Sequence, residues 1–370
     1  MRRFCSTFVL ALATLAASCA DAARPTRVIL FIGDGAGTSY WTAASFATDD
    51  LAVKQFPVVG LVDTRSSDSK ITDSAAAATA YASGIRTYNG AIGVDPDSNA
   101  VPTVLEVARQ RGMATGLVAT SSLTHATPAA FASHVSNRQR HWEIARQLAE
   151  AGVDVLLGGG RRYFEAAGRT DGLDLLAAMA AEGAVLLTQA EFQELDTDSV
   201  SKLVGLFASD HMPDAYSRVP SLPEMTAKAL EVLDKDPDGF FLMVEGSQPD
   251  WRGHDNARLD SVTAEMLDLD RAIGLAFEYQ RRHPSTLIVV TADHETGGLA
   301  LQLAKPQPSH YGAAAATDTA AAPELVARYT TGSHTASMVP LFASGPGAER
   351  FGGIKDNWFI GRLLLEAVRQ

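Results

Sequence analysis

Short runs of aliphatic and β-branched residues alternate along this chain with segments of helical period. Such runs are typical of strands buried on both faces, and their alternation with helices is typical of βαβ units. Seven strands are predicted, at Val28 to Ile32, Ala114 to Ala119, Val153 to Leu157, Leu203 to Ala208, Phe240 to Val244, Thr286 to Thr291 and Val339 to Ala343. Six helices are predicted, at Ser74 to Ser83, Val101 to Arg111, Arg140 to Ala151, Ser221 to Asp234, Ser261 to Arg281 and Asn357 to Val368. We therefore expect an α/β fold with a central, mostly parallel β-sheet covered by helices on both faces.

One large domain is expected. The chain has 370 residues, of which 46% are hydrophobic and 20% charged, so it can bury one large core and is neither disordered nor fibrous. The Ala-rich stretch from Gly312 to Ala322 is interpreted as an insertion over one end of the sheet. The net charge of −12 repels nucleic acid, so an anionic substrate would need local cations such as bound metal ions.

Residues 1–22 have the pattern of a secretory signal peptide. Arg2 and Arg3 precede an apolar run of about ten residues, which is too short to span a bilayer, and small residues follow it. Ala20-Asp21-Ala22 fits a small-x-small cleavage site. We therefore expect an exported protein, periplasmic or secreted.

Cys19 leaves a second option for the N-terminus, because the small residues before it resemble a bacterial lipoprotein box, with Ala16 where Leu is usual. Ordinary cleavage is favoured over this lipid-anchored alternative, and membrane contact is expected only if Cys19 is lipidated. Cys5 is the one other cysteine, so residues 23–370 contain no thiolate. Any metal in that domain must be bound by histidine and carboxylate.

Polar residues follow three predicted strands where each strand ends. Asp34 lies in a Gly-rich turn, Glu245 follows the strand from Phe240, and Asp293 and His294 follow the strand from Thr286. Ligands of open α/β sheets bind at the carboxyl ends of the strands, so these side chains should converge. The turn at Asp34 alone is compatible with a metal site, a nucleotide site or a helix cap, and its acidic side chain suits a metal better than a bare phosphate.

Two further patterns have both a structural and a functional interpretation. Asp250 and His254 are four residues apart, which on a helical turn places them on one face, either as an exposed ion pair or as ligands of one ion. Ser74 begins an Ala-rich helix after Asp73. It is either part of an ordinary helix cap or a serine whose phosphorylated oxygen would be stabilised by the helix N-terminus.

Taken together, these residues resemble the alkaline phosphatase family from about Thr26 to the C-terminus. Six segments in the family order carry the resemblance: Phe31 to Gly37, Thr72 to Ala76, His125 to Ala129, Val244 to Gly246 with Asp250 and His254, Thr291 to His294, and Gly332 to Thr335. The resemblance implies an alkaline-phosphatase-like fold and the hydrolysis of small phosphate monoesters to inorganic phosphate. Members of the family are commonly dimers, so a homodimer is one possible assembly.

The resemblance also implies roles for individual residues. Ser74 would be the nucleophile that forms a phosphoserine, and Arg138 would hold the phosphate. The implied ligand sets are Asp250, His254 and His334 for a first Zn²⁺, Asp34, Asp293 and His294 for a second Zn²⁺, and Asp34, Thr127 and Glu245 for a third ion, usually Mg²⁺. Two zinc ions about 4 Å apart can hold the attacking and leaving oxygens of an in-line displacement.

His125 and Trp251 are neighbours of the implied third site. One branch of the family has Asp and Lys at these positions, whereas other members carry His at the first and some carry Trp at the second. Loss of a carboxylate should weaken Mg²⁺ binding there, and an imidazole favours a softer ion. The other histidines, His134, His141, His211, His283 and His310, are assigned to packing or solvent exposure, and His211 merits attention because it follows a predicted strand.

Two alternative functions remain at this point. A phosphodiesterase or nucleotide pyrophosphatase of the same superfamily would share the two-metal core, but Ser74, Arg138 and the Glu245 and Thr127 pair are features of monoesterases. A non-catalytic exported protein that binds metal or phosphate would not need a nucleophile at a helix N-terminus.

Overall fold

The computed structural model describes residues 25–304 and 325–369. The predicted signal peptide, the Ala-rich stretch from Gly312 to Ala322 and His310 lie outside these residues. Within the described part of the chain, no helix is both long enough and apolar enough to cross a membrane.

The described residues form fourteen strands and eleven α-helices. The strands are β1 Arg27–Gly33, β2 Val58–Asp63, β3 Ala114–Ser122, β4 Val155–Gly159, β5 Ala184–Leu186, β6 Leu203–Ala208, β7 Phe240–Gly246, β8 Thr286–Thr291, β9 Glu295–Thr296, β10 Ala300–Leu303, β11 Leu325–Arg328, β12 His334–Thr335, β13 Val339–Ser344 and β14 Gly353–Asp356. The α-helices are α1 Thr38–Ala47, α2 Ser74–Ser83, α3 Val104–Gln110, α4 Ala126–Ala132, α5 His141–Glu150, α6 Leu175–Ala180, α7 Gln189–Glu194, α8 Leu222–Leu233, α9 Gln248–His254, α10 Leu259–Arg282 and α11 Asn357–Arg369.

Ten strands form the central sheet in the order β14-β2-β13-β8-β1-β7-β3-β4-β6-β5. Neighbouring strands are parallel except at β13, which is antiparallel to both β2 and β8. The predicted mostly parallel α/β sheet is therefore confirmed. All seven predicted strands are present, and the largest boundary error is at β3, which ends at Ser122 instead of Ala119.

The register of the central strands brings their carboxyl ends to one level. Ile32 of β1 is paired with Glu245 of β7 and with Thr291 of β8. The chain therefore leaves all three strands at the same edge, where Asp34 and Asp293 immediately follow. The strands are almost wholly buried, as their aliphatic runs predict.

Helix α2 brings Ser74 to this edge. The Asp73 side chain caps the helix by accepting a hydrogen bond from the Ala76 amide at 3.0 Å. Every residue of α2 is buried, which explains its alanine content. Helix α11 crosses it at Gly361, where a Cβ would lie 2.1 Å from the Ala80 carbonyl oxygen. The close crossing fixes the position of α2, and with it the position of Ser74.

Candidate active site and metal centre

The predicted acidic residues converge at the carboxyl ends of β1, β7 and β8. Asp34, Asp293, His294 and Glu245 have no solvent exposure. Ligand atoms of Asp34, Asp293 and His294 lie within 4.8 Å of one another, and so do ligand atoms of Asp34, His125 and Glu245. Asp34 belongs to both groups, so one carboxylate can contribute to two adjacent cation sites.

A second cluster lies beside the first and contains Asp250, His254 and His334. The Nε2 atoms of His254 and His334 are 3.1 Å apart, and they lie 3.3 and 3.6 Å from Asp250 Oδ1. The Nδ1 atom of His254 lies 2.8 Å from the Gly332 carbonyl, and that of His334 lies 2.9 Å from the Thr72 carbonyl. Because a carbonyl only accepts, both Nδ1 atoms carry the proton, and both Nε2 lone pairs face the same point. This arrangement suits a metal ion.

His294 joins the two clusters. Its Nε2 atom lies 3.2 Å from Asp293 Oδ2, 3.5 Å from Asp34 Oδ1 and 3.2 Å from Ser74 Oγ. Its ring stacks on that of His334 with the centroids 3.5 Å apart. The serine hydroxyl, at the N-terminus of α2, is thus in contact with His294, a predicted ligand of the second site.

Several buried oxygens at this edge have no hydrogen-bond partner among residues 25–304 and 325–369. These oxygens are Oδ1 and Oδ2 of Asp34, Oδ2 of Asp293, Oε1 of Glu245 and Oγ1 of Thr127. Buried charges without partners are strongly destabilising unless a counter-charge is present. These donor atoms therefore fit bound cations, and the prediction that the site holds metal ions agrees with the chemistry of the residues present.

The pKa values in the cluster also reflect buried carboxylates that lack a counter-charge. Burial, followed by repulsion from Asp293, Asp250 and Glu245, raises the pKa of Asp34 well above its usual range. Burial raises the pKa of Glu245 to about 7. Burial and the neighbouring His334 hold the pKa of His294 well below its ordinary value, so this candidate ligand carries no positive charge near neutral pH. The raised pKa values favour the protonated carboxylates when no cation is bound, and a bound cation would displace these protons.

Arg138 lies next to the nucleophile candidate. Its Nη1 donates to Asp73 Oδ2 at 3.0 Å and its Nη2 donates to His125 Nε2 at 3.1 Å. Arginine only donates, so His125 Nε2 must accept and the neutral ring carries its proton on Nδ1. That Nδ1 is buried and has no hydrogen-bond partner in the part of the chain that the structure describes. The guanidinium is therefore held in place by the residue that caps α2 and by a neighbour of the third site.

His125, His211 and Trp251 form an aromatic cluster beside the third site. The His211 ring lies 4.6 Å from Trp251 and 5.6 Å from His125 between centroids, and its Nδ1 accepts a hydrogen bond from the Ser122 amide at 3.0 Å. From the sequence, His211 was assigned to packing or solvent exposure and singled out for attention, and in the structure it packs against both His125 and Trp251. By contrast, His134, His141 and His283 make packing or ion-pair contacts elsewhere, as expected.

Three hydroxyl groups that were not predicted from the sequence form hydrogen bonds with candidate metal ligands. Ser121 and Ser247 donate to Glu245 Oε2, at 3.2 and 2.7 Å. The Thr296 hydroxyl bonds Asp250 and lies 3.2 Å from His294 Nδ1. Only Thr296 had a usable signal, since it directly follows the Asp293 to Glu295 segment and precedes the Gly297-Gly298 pair that ends it.

Comparison with known proteins identifies the family. The alkaline phosphatase family model matches residues 26–333. The chain belongs to the alkaline phosphatase family. Alkaline phosphatase 3 of Bacillus subtilis (strain 168) is 35% identical over 93% of this chain and 89% of its own length. Alkaline phosphatase of Escherichia coli (strain K12) is 33% identical over 90% of this chain and 84% of its own length.

Solved alkaline phosphatase structures share the fold. The enzyme from the Antarctic bacterium TAB5 has a TM-score of 0.84 and 39% identity, and the match covers 94% of this chain and 99% of that one. A TAB5 variant with one histidine replaced by aspartate matches equally well, with 38% identity and a TM-score of 0.84, and it has Mg bound in its M3 site. The resemblance stated from the sequence is confirmed, and the chain is an enzyme of this family.

Proposed function

We propose that this protein hydrolyses phosphate monoesters through a covalent phosphoserine at Ser74. The observation that carries the proposal is the placement of Ser74 Oγ, 3.2 Å from His294 Nε2 and at the N-terminus of α2. A serine needed only to cap or pack would not have to contact a cluster of metal-ligand residues. The family membership supports the same reaction.

The donor sets support two zinc sites and one magnesium site. Asp250, His254 and His334 would hold the first Zn²⁺, and Asp34, Asp293 and His294 the second, since mixed imidazole and carboxylate ligands suit zinc. The all-oxygen set of Asp34, Thr127 and Glu245 suits Mg²⁺, which keeps several waters. When bound, the two zinc ions would supply positive charge at the attacking and leaving oxygens.

The side chains of this chain carry out the positioning. Ser74 Oγ would form a bond to phosphorus while the bond from phosphorus to the ester oxygen breaks, and the alcohol leaves with a proton. Water would then hydrolyse the phosphoserine to inorganic phosphate and restore the serine hydroxyl. Amide N–H groups at the start of α2 and two N–H groups of Arg138 would bind the non-bridging oxygens. Asp73 and His125 hold Arg138 in advance, which lowers the entropic cost of binding.

The third site is where this enzyme is proposed to differ from carboxylate-rich relatives. A variant of the TAB5 enzyme in which a histidine is replaced by aspartate has Mg bound in its M3 site. Here His125 lies with Asp34 and Glu245 at the corresponding cluster of donor atoms. We infer weak Mg²⁺ binding at this site, and a softer ion could bind His125 only if the ring proton leaves Nδ1.

The cellular setting is a further part of the proposal. The N-terminal sequence pattern supports export to the periplasm or the medium, with a lipid anchor at Cys19 as the alternative. Homodimer formation is proposed from family membership. Small phosphate monoesters would be the substrates, and the net charge of −12 argues against nucleic acid.

The proposal is tested with purified protein whose metal content is measured. Activity on 4-nitrophenyl phosphate is compared with activity on its methyl diester, for the wild type and Ser74→Ala. We expect kcat/KM to favour the monoester and turnover to be lost in Ser74→Ala, and acid quenching during turnover should trap phosphoserine. A preference for the diester would indicate a phosphodiesterase. Unchanged turnover in Ser74→Ala would exclude the phosphoserine, and a zinc-loaded wild type without turnover would indicate a binding protein.

A further inference from the structure

Thr296 occupies a buried position between the first and second ligand sets. Its hydroxyl bonds Asp250 Oδ1 and lies 3.2 Å from His294 Nδ1. It has no solvent exposure. In β9 it also pairs with His334 of β12, a further ligand candidate. One side chain thus touches a residue from each proposed zinc site, although 46 residues separate it from Asp250.

The direction of these hydrogen bonds follows from the chemistry of the groups. An ionised Asp250 only accepts, so the Thr296 hydroxyl must donate its single proton to Asp250. The oxygen of the same hydroxyl then accepts from His294 Nδ1, which must carry the ring proton. His294 Nε2 is left with a free lone pair, and this atom faces Ser74 Oγ at 3.2 Å and Asp293 Oδ2 at 3.2 Å. Thr296 therefore selects the tautomer in which His294 can bind a metal through Nε2.

The surrounding backbone leaves space for this side chain and fixes its position. A Cβ on Gly35, whose φ is +69°, would lie 2.8 Å from Thr296 Oγ1, and a Cβ on Gly253 would lie 2.8 Å from Thr296 Cγ2. The Tyr40 hydroxyl donates to the Thr296 carbonyl at 2.6 Å, and the Thr296 amide donates to the Gly35 carbonyl at 3.2 Å. The hydroxyl is consequently held between the two ligands by contacts on several sides.

We propose that Thr296 is a positioning residue that couples the two zinc sites, by orienting Asp250 in the first and His294 in the second. This inference rests on the proposed zinc centre. Residues that hydrogen-bond metal ligands commonly change metal affinity by about 10- to 100-fold when they are removed. Because one hydroxyl serves a ligand in each set, its loss weakens both sites together.

Zinc binding to metal-free protein tests the coupling, with a chromophoric zinc chelator as competitor. Thr296→Val keeps the shape of the side chain and removes the hydroxyl, whereas Thr296→Ser keeps the hydroxyl. Thr296→Ala replaces Thr296→Val if the valine variant does not fold. The matched control is Thr226→Val, because Thr226 is also buried but its hydroxyl donates to the Leu222 carbonyl of its own helix at 2.8 Å.

We expect Thr296→Val to weaken both zinc-binding steps about 10- to 100-fold, with Thr296→Ser and Thr226→Val near the wild type. In ¹⁵N NMR spectra of the metal-free protein, the proton of His294 should lie on Nδ1 in the wild type and redistribute in Thr296→Val. Wild-type zinc affinities in the Val and Ala variants would overturn the coupling, as would weakening of one step alone. A wild type that binds no zinc would instead overturn the proposed zinc centre and the coupling with it.

Discussion

The contacts of Arg138 lead to a prediction about phosphate binding. Two of its five N–H groups donate to Asp73 and His125, so the guanidinium is already held in place before the proposed phosphate binds. Charge-assisted hydrogen bonds contribute about 1.5–3 kcal/mol each. Because Arg138→Ala would remove two such bonds, we expect it to lower kcat/KM on a monoester by about 100-fold or more and to weaken inhibition by inorganic phosphate by a similar factor.

Arg138→Lys is the matched variant for this prediction. A lysine keeps the charge but cannot form two parallel hydrogen bonds, so we expect only partial recovery of phosphate inhibition. Steady-state kinetics with added phosphate measure both effects. If Arg138→Ala kept the wild-type inhibition constant, Arg138 would not bind the phosphate.

We propose that His125 determines how tightly the third site binds Mg²⁺. Because its Nε2 accepts from Arg138, its Nδ1–H is a donor and cannot accept hydrogen bonds from water bound to Mg²⁺. We expect His125→Asp to raise Mg²⁺ affinity by about tenfold or more, as a restored supporting carboxylate would. Isothermal titration with Mg²⁺ measures this, and His125→Asn provides a neutral comparison. Equal Mg²⁺ affinity in the Asp and Asn variants would contradict the explanation.

The residues that sequence reasoning found and those it missed differ in one physical respect. Asp34, Glu245 and Asp293 directly follow apolar strands, so strand order alone brings them to one edge. Thr296 and His211 act through contacts with residues 46 and 89 positions away. Those contacts depend on loop geometry, which periodicity does not encode.

At the scale of elements, seven strands of the central sheet were predictable, whereas β2 and the two edge strands β5 and β14 were not predicted. β2 contains the apolar run Val58 to Val62 but was not predicted, and in the structure Val59 and Leu61 of this run are exposed by 61% and 38%. The edge strand β14 has one aliphatic residue, Ile354. The antiparallel direction of β13 could not be predicted either, because an apolar run has the same sequence pattern in parallel and antiparallel pairing.

The crossing of α2 and α11 yields a prediction at this scale. At Gly361 a Cβ would meet the Ala80 carbonyl at 2.1 Å, so Gly361→Ala must push α2 away and shift Ser74. We expect the free energy of unfolding to fall by about 1–3 kcal/mol and kcat to fall with it. Thermal unfolding and kinetics at saturating substrate measure the two effects.

Gly274 in α10 is the matched control, because its added Cβ would meet nothing closer than the Ala52 Cβ at 3.7 Å. Gly274→Ala should stabilise the protein by about 0.5–1 kcal/mol through helix propensity and leave kcat unchanged. Equal effects of the two substitutions would show that the crossing does not position Ser74.

At the scale of the whole molecule, the fold concentrates negative charge at one edge of a sheet in a chain that is already acidic, so metal binding and folding must be linked. Burial raises the folded-state pKa of Glu245 to about 7, from 4.5, and raises those of Asp34 and Asp293. Groups with raised folded-state pKa values destabilise the metal-free fold at pH above those values, and this destabilisation is relieved as the pH falls through them.

His294 and His125 act in the opposite direction, but in a lower pH range. Burial lowers both of their pKa values, so their contribution to stability is lost only as the pH falls below about 6.5, the value in the unfolded chain. We therefore expect the unfolding midpoint of chelator-treated protein to rise by a few degrees between pH 8.5 and about 6.5. The metal-loaded protein should show the reverse trend, because protons compete with the cations for the same carboxylates.

Differential scanning calorimetry of both forms across this range checks the opposite slopes. Glu245→Gln in the metal-free form is the matched variant, because it removes the carboxyl whose pKa is about 7. The unfolding midpoint of this variant should therefore rise less between pH 8.5 and about 6.5. The same slope in both forms would mean that the cluster is not linked to folding through cations. Opposite slopes would show that the fold tolerates its concentrated carboxylates because, in the working enzyme, metal ions take the place of protons.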